Sequence, residues 1–160
     1  MTSHLPQPNV HNKPFDLIEA LNDIKSRIDA LVDDNSVIIY SQNDLEDMPE
    51  ADPRLQRADQ GFVSIMYAGM RPQNPNVQGN VGTVARFSIV ASFKNDKLRV
   101  KGIEKPITML RFMTELRRLL ATQKAPNNKT YTFAGEGAFE IPGKGDGYMQ
   151  DWNLSLTTFS

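Results

Sequence analysis

Between Phe133 and Asp151 the chain gathers residue types that do chemistry: the carboxylates Glu136, Glu140, Asp146 and Asp151, the cation Lys144, and five glycines. Paired carboxylates move protons to and from a substrate, and glycine loops with a lysine cradle phosphates. The phosphate-loop reading fails on spacing. Gly137 and Gly143 enclose five residues rather than four, Gly145 follows Lys144 where Ser or Thr is needed, and the segment leads into a strand instead of a helix. Gly143, Gly145 and Gly147 read as a turn. Glu136 and Asp146 are too sparse for the oxygen cage of a calcium loop, and the carboxylates, with no placed partner, read as surface groups. His4 and His11, the two histidines, lie in a Pro-rich start, and the chain has no cysteine. Thiol nucleophiles, disulfides and thiolate zinc sites are therefore excluded. No Gly-x-Ser-x-Gly elbow occurs. The expectation is a non-enzyme with no catalytic, metal or cofactor-binding residues.

The elements that would position any site follow from periodicity. After a Pro-rich arm over residues 1–13, a single domain over 14–160 is expected, since a chain of 160 residues buries about 70% of its unfolded surface and holds an ordinary core. Pro14 marks a helix start, with Asp16 and Glu19 near the positive end of its dipole. Leu17, Leu21, Ile24, Ile28 and Leu31 recur at three- and four-residue steps, opposite Asp23, Ser26 and Asp29, and Asn35 is expected to close the helix in a left-handed conformation. Residues 36–40 read as a buried strand, and 42–60 as an exposed loop with one irregular helical turn at most. Residues 61–67 form a second strand. Thr83, Ala85, Phe87, Ile89, Ala91 and Phe93 alternate with a more polar set to make a third.

A second helix is expected over 106–123, with Met109, Leu110, Phe112, Met113, Leu116, Leu119 and Leu120 filling about half its circumference. That arc is wider than one sheet face requires, so the helix is expected to touch the first helix or a neighbouring subunit as well. Residues 130–134 read as a strand, followed by an interruption at Gly135-Glu136-Gly137 and a short segment over 138–141. The last strand, 148–159, puts Tyr148, Gln150, Trp152, Leu154 and Leu156 on one face.

Charge is balanced in total, at -1, but not along the chain. Residues 1–60 hold 12 acidic and 5 basic side chains, and residues 61–160 hold 7 acidic and 13 basic. Asp44, Glu46, Asp47, Glu50 and Asp52 form an acidic stretch, while Lys97, Arg99 and Lys101 centre a basic one. Opposed patches of this kind either stay solvated or meet when copies associate head to tail. The acidic stretch has two placements in such an assembly, against a neighbour's cations or lining a lumen. Residues 71–82, with Arg71, Asn74, Asn76 and Gln78, read as an extended arm that orders on association. A pI near 6.1 argues against a dedicated nucleic-acid binder. No apolar run approaches a membrane span and no signal-peptide core is seen, so a soluble protein working inside a cell or in a virion is expected.

The order helix, strand, acidic loop, strand, polar arm, strand, helix, strand, closing strand resembles the tail-terminator (tail-completion) proteins of long-tailed bacteriophages. The likeness spans about residues 14–159. It rests on the first helix over 17–32, on the helix ending Glu115-Leu116-Arg117-Arg118-Leu119-Leu120, and on Phe133-Ala134-Gly135-Glu136, Gly147-Tyr148 and Trp152-Asn153-Leu154 near the end. The resemblance implies an α+β domain, a mixed or largely antiparallel sheet of about five strands with two helices on one face. It further implies a homohexameric ring that caps the head-proximal end of the tail tube, stops tube and sheath polymerisation, and meets a neck or connector protein. Assembly would occur in the host cytoplasm, DNA would pass through the lumen without specific binding, and no membrane or cofactor would be involved. The alternatives are another head-tail joining or minor tail protein, and a small-ligand-binding or hydrolytic domain using the Gly-rich loop.

Overall fold

The computed structural model describes residues 15–47, 61–73, 82–93, 97–141 and 145–156. The first helix, α1 (Leu17–Leu31), starts at Asp16, whose carboxylate accepts the Ile18 N–H at 2.9 Å and so occupies one of the donors that a helix start leaves unpaired. Ala20, Leu21, Ile24 and Ile28 are buried, as the three- and four-residue steps predict. Asn35 does not close the helix. The chain leaves α1 at Val32 in an extended conformation (φ -79°, ψ 130°) and pairs there with Val100.

Strand β1 (Ile38–Ser41) runs straight into a short helix, α2 (Gln42–Asp47), where the sequence suggests only an irregular turn. Ser41 and Asp44 cap each other: the Ser41 N–H donates to the Asp44 carboxylate at 2.8 Å, and the Asp44 N–H donates to the Ser41 hydroxyl at 3.2 Å. Strands β2 (Gly61–Pro72) and β3 (Thr83–Phe93) form a long antiparallel hairpin, closed at its end by the Gln73 N–H donating to Gly82 O at 2.9 Å. Gly61 is required where β2 begins, because a Cβ there would stand 2.5 Å from Val37 Cγ1.

Two short strands, β4 (Lys97–Leu98) and β5 (Ile107–Thr108), pair antiparallel. Helix α3 (Met109–Leu120) follows, with the Thr108 hydroxyl accepting the Arg111 N–H. The helix covers the apolar pattern from Met109 to Leu120 but is shorter than the expected 106–123, because residues 107 and 108 belong to β5 and the chain turns extended at Ala121 (φ -57°, ψ 129°). Strands β6 (Tyr131–Ile141) and β7 (Gly145–Leu156) close the fold. The interruption expected at Gly135 is instead a bulge within one continuous strand, where the register against β7 shifts between Phe133 and Gly135. Gly135 has φ 152°, which a side chain would strain.

The fold is α+β. Its five-stranded mixed sheet has the order β1-β2-β3-β7-β6, with β1 and β2 parallel and the other neighbours antiparallel. Helices α1 and α3 pack against the sheet. Val63 and Ile65 of β2, Ala85 to Phe93 at alternate positions of β3, and Trp152, Leu154 and Leu156 of β7 share one core with Ile24 and Ile28 of α1 and Phe112, Met113, Leu116 and Leu120 of α3. Trp152 is fully buried, and Phe93 meets Phe112 edge-on at 5.4 Å. The other sheet face is mixed, with Ser64, Ser88 and Ser92 buried beside Phe62, which stacks on Tyr40.

Candidate functional site

The basic stretch is extended and half-buried. Leu98 and Val100 point into the core while Lys97, Arg99 and Lys101 are all exposed. Alternation with period two produces this row, and puts successive cations about 7 Å apart. The backbone fixes it to the end of α1. The Asp33 N–H donates to Arg99 O at 2.9 Å, the Lys101 N–H to Leu31 O at 2.8 Å, and the Arg99 N–H to the Asp34 carboxylate at 3.1 Å. Burial alone would raise the Asp34 pKa, but bonds from the Ser36 hydroxyl and N–H, the Arg99 N–H and the Arg99 charge together hold it below its ordinary value.

The acidic stretch is placed in part. Asp44 is engaged within the chain, capping Ser41 and lying 3.6 Å from Lys25 Nζ. Glu46 and Asp47 lie in α2, and Glu50 and Asp52 fall outside the described residues. Arg71 is exposed near the end of the β2–β3 hairpin, whereas Asn74, Asn76 and Gln78 fall outside the described residues, as does the Pro-rich arm over 1–13.

The carboxylates of the C-terminal region do not converge. Asp151 accepts the Ser88 hydroxyl at 2.5 Å on one sheet face. Glu136, on the helix-facing side, binds Arg117 of α3 and accepts from Gln150 Nε2 at 2.8 Å. Gln150, fully buried, also donates to Met113 O at 2.8 Å and accepts the Trp152 indole N–H at 3.0 Å. This chain from Arg117 through Glu136 and Gln150 to Trp152 ties α3 to β6 and β7, and it satisfies polar groups that would otherwise be buried unpaired. A glutamine among inward-facing apolar residues of the last strand is its one mark in the sequence.

A second tie has no signal in the periodicity of α1. Asp23, assigned from its periodicity to the solvent side of α1, accepts the Tyr131 hydroxyl at 2.8 Å and Arg27 Nε at 3.0 Å. Arg27 reaches on to Lys124 O at 2.8 Å. Burial, then the hydrogen bond to Asp23 and its charge, push the Tyr131 pKa well above its ordinary value, against a smaller opposing effect of Arg27. Among the described residues, no group of three or more His, Asp or Glu side chains could hold a metal ion, and no helix is long and apolar enough to cross a membrane. The chain matches no protein-family model, and no curated protein sequence matches it.

Proposed function

We propose that the chain is the subunit of a phage tail terminator, a structural protein whose copies close into a homohexameric ring at the head-proximal end of the tail tube. The ring stops further addition of tube and, where present, sheath subunits, and offers its free side to a neck or connector protein in the virion. The observation that supports this reading most is the cationic row Lys97, Arg99 and Lys101, exposed together and held rigidly by the end of α1. Such a row suits an acidic segment of a neighbouring copy, and Glu46, Asp47, Glu50 and Asp52 supply one in the same chain. Contacts between two different surfaces are the kind that close into rings. Each exposed pair is worth only about 0.2–1 kcal/mol, but a closed ring repeats it at every interface.

Charge reversal of Lys97, Arg99 and Lys101 together, read by sedimentation velocity across a salt series, tests the contact. Rings are expected to weaken in the variant and to recover when Glu46, Asp47 and Glu50 are reversed as well. Rings indifferent to both changes would remove the cationic row from the assembly and leave the acidic stretch either solvated or lining the lumen, where it would repel the passing DNA.

A further inference from the structure

We infer that the far end of the β2–β3 hairpin carries an oxyanion site, and that Arg71 and Arg86 hold a phosphate dianion there, free or at the end of a monoester. Residues opposite each other across an antiparallel ladder share a face, and Arg71 pairs with Val84 while Gly69 pairs with Arg86. The two arginines therefore stand on one face, diagonal to one another at about 7–8 Å, a gap that long side chains span. It is the face turned away from α1 and α3, since the alternate residues Ala85 and Phe87 lie in the core with those helices. Both arginines are exposed. Both line one pocket of about 190 Å³, completed by Ala68, Gly69, Met70 and Val84.

The strand pairing leaves both charges without a counter-ion. Arg27, Arg111, Arg117 and Arg118 are each bonded to a carboxylate of the chain. Among the described residues, the guanidiniums of Arg71 and Arg86 have no hydrogen bond and no ion pair. The place opposite Arg86, where an acidic residue would pair with it across the strands, is occupied by Gly69. A bulge sits there, with the register shifting between Tyr67 and Gly69, and Gly69 has φ 117°, which a side chain would strain. A Cβ on Gly69 would meet nothing within 4 Å, so the space beside it is open. Asp151, diagonal to Arg86 on β7, is spent on the Ser88 hydroxyl and forms no ion pair with it. Guanidiniums present planar forks of N–H donors that match the oxygens of a phosphate, and they stay charged at any ordinary pH. Two fixed cations match a doubly charged anion. A carboxylate, with one charge, would leave one arginine unpaired, and a nucleic-acid backbone needs more than two cations on a chain of net charge -1, because its affinity comes from many phosphates at once.

The site does not rest on the ring reading, since none of its residues belongs to the cationic row. Isothermal titration calorimetry of the full chain at low ionic strength tests it, with inorganic phosphate, methyl phosphate, sulfate, acetate and a short single-stranded oligonucleotide as probes. The expected result is one saturable site per chain for phosphate and for sulfate, with acetate bound about tenfold more weakly for the contact it cannot make. Phosphate binding should tighten as pH rises through its second ionisation, while sulfate, doubly charged throughout, should bind alike. Arg71→Gln and Arg86→Gln are each expected to weaken phosphate about tenfold, the loss of one charge-assisted contact, and the double variant to abolish binding. Circular dichroism would confirm that the variants fold. Methyl phosphate held as tightly as phosphate would support a monoester as the ligand, and methyl phosphate shut out would support the free ion. No saturable site, or binding unchanged in the double variant, would overturn the inference. So would binding lost instead when Lys97, Arg99 and Lys101 are replaced by glutamine, or an oligonucleotide that binds where phosphate and sulfate do not.

Discussion

Gln150 spends its whole amide inside the molecule. Its Nε2 donates to Met113 O and to Glu136, and its Oε1 accepts from Trp152. Replacing it with leucine keeps the volume but strands the buried Trp152 N–H, at about 1–3 kcal/mol. Gln150→Leu is therefore expected to lower the urea midpoint and to alter the fluorescence of Trp152, the one tryptophan. An unchanged midpoint and spectrum would show that the network contributes nothing. Two titrations belong to the same scale. Asp34 has a lowered pKa in the fold, so its contribution is present above its ordinary value of 3.8 and is lost as pH falls through the lower folded value. Asp34→Asn should flatten that part of the acid limb of stability against pH. Tyr131 has a raised pKa, so its contribution holds below its ordinary value of 10 and falls as pH rises beyond it. Tyr131→Phe should lose stability at neutral pH, by about 0.5–1.5 kcal/mol for the hydrogen bond, and should fall less steeply above pH 10 than the unmodified chain.

At the scale of elements, helix α3 separates core from surface by position. Leu116→Ala is expected to cost about 2–5 kcal/mol through lost burial and a cavity, whereas Leu110→Ala, on the open side of the same helix, should stay within about 0.5 kcal/mol. Equal costs in denaturant unfolding would show that the helix is turned otherwise. Periodicity made α1, β3 and the inward face of β7 legible in the sequence, because long amphipathic elements record their burial at every second, third or fourth residue. It failed where tertiary contacts decide. Val32 leaves α1 extended because Val100 waits to pair with it, a partner 68 positions away that no local pattern announces. Gly135 looked like a break because a glycine marks both turns and bulges, and only pairing with β7 distinguishes them. Asp23 looked solvent-facing because the tyrosine hydroxyl it binds comes from β6. The row Lys97, Arg99 and Lys101 shows in the sequence as charge alone, and its common outward face depends on Leu98 and Val100 being drawn into the core.

At the scale of the molecule, the described surface carries a row of exposed cations and a long β2–β3 hairpin on one α+β frame. These features suit a subunit whose work is contact with other copies. Salt distinguishes the contacts. Screening lengths fall to about 8 Å at physiological ionic strength, so cross-subunit ion pairs should weaken as salt rises, while an acidic stretch that lines the lumen should leave assembly indifferent to salt. The most direct measurement is electron microscopy of the purified full chain, alone and mixed with tail tubes. The account predicts closed six-fold rings seated at one end of the tube, with tube lengths that stop increasing once the protein is added. Tubes that continue to lengthen with no ring at either end would contradict it.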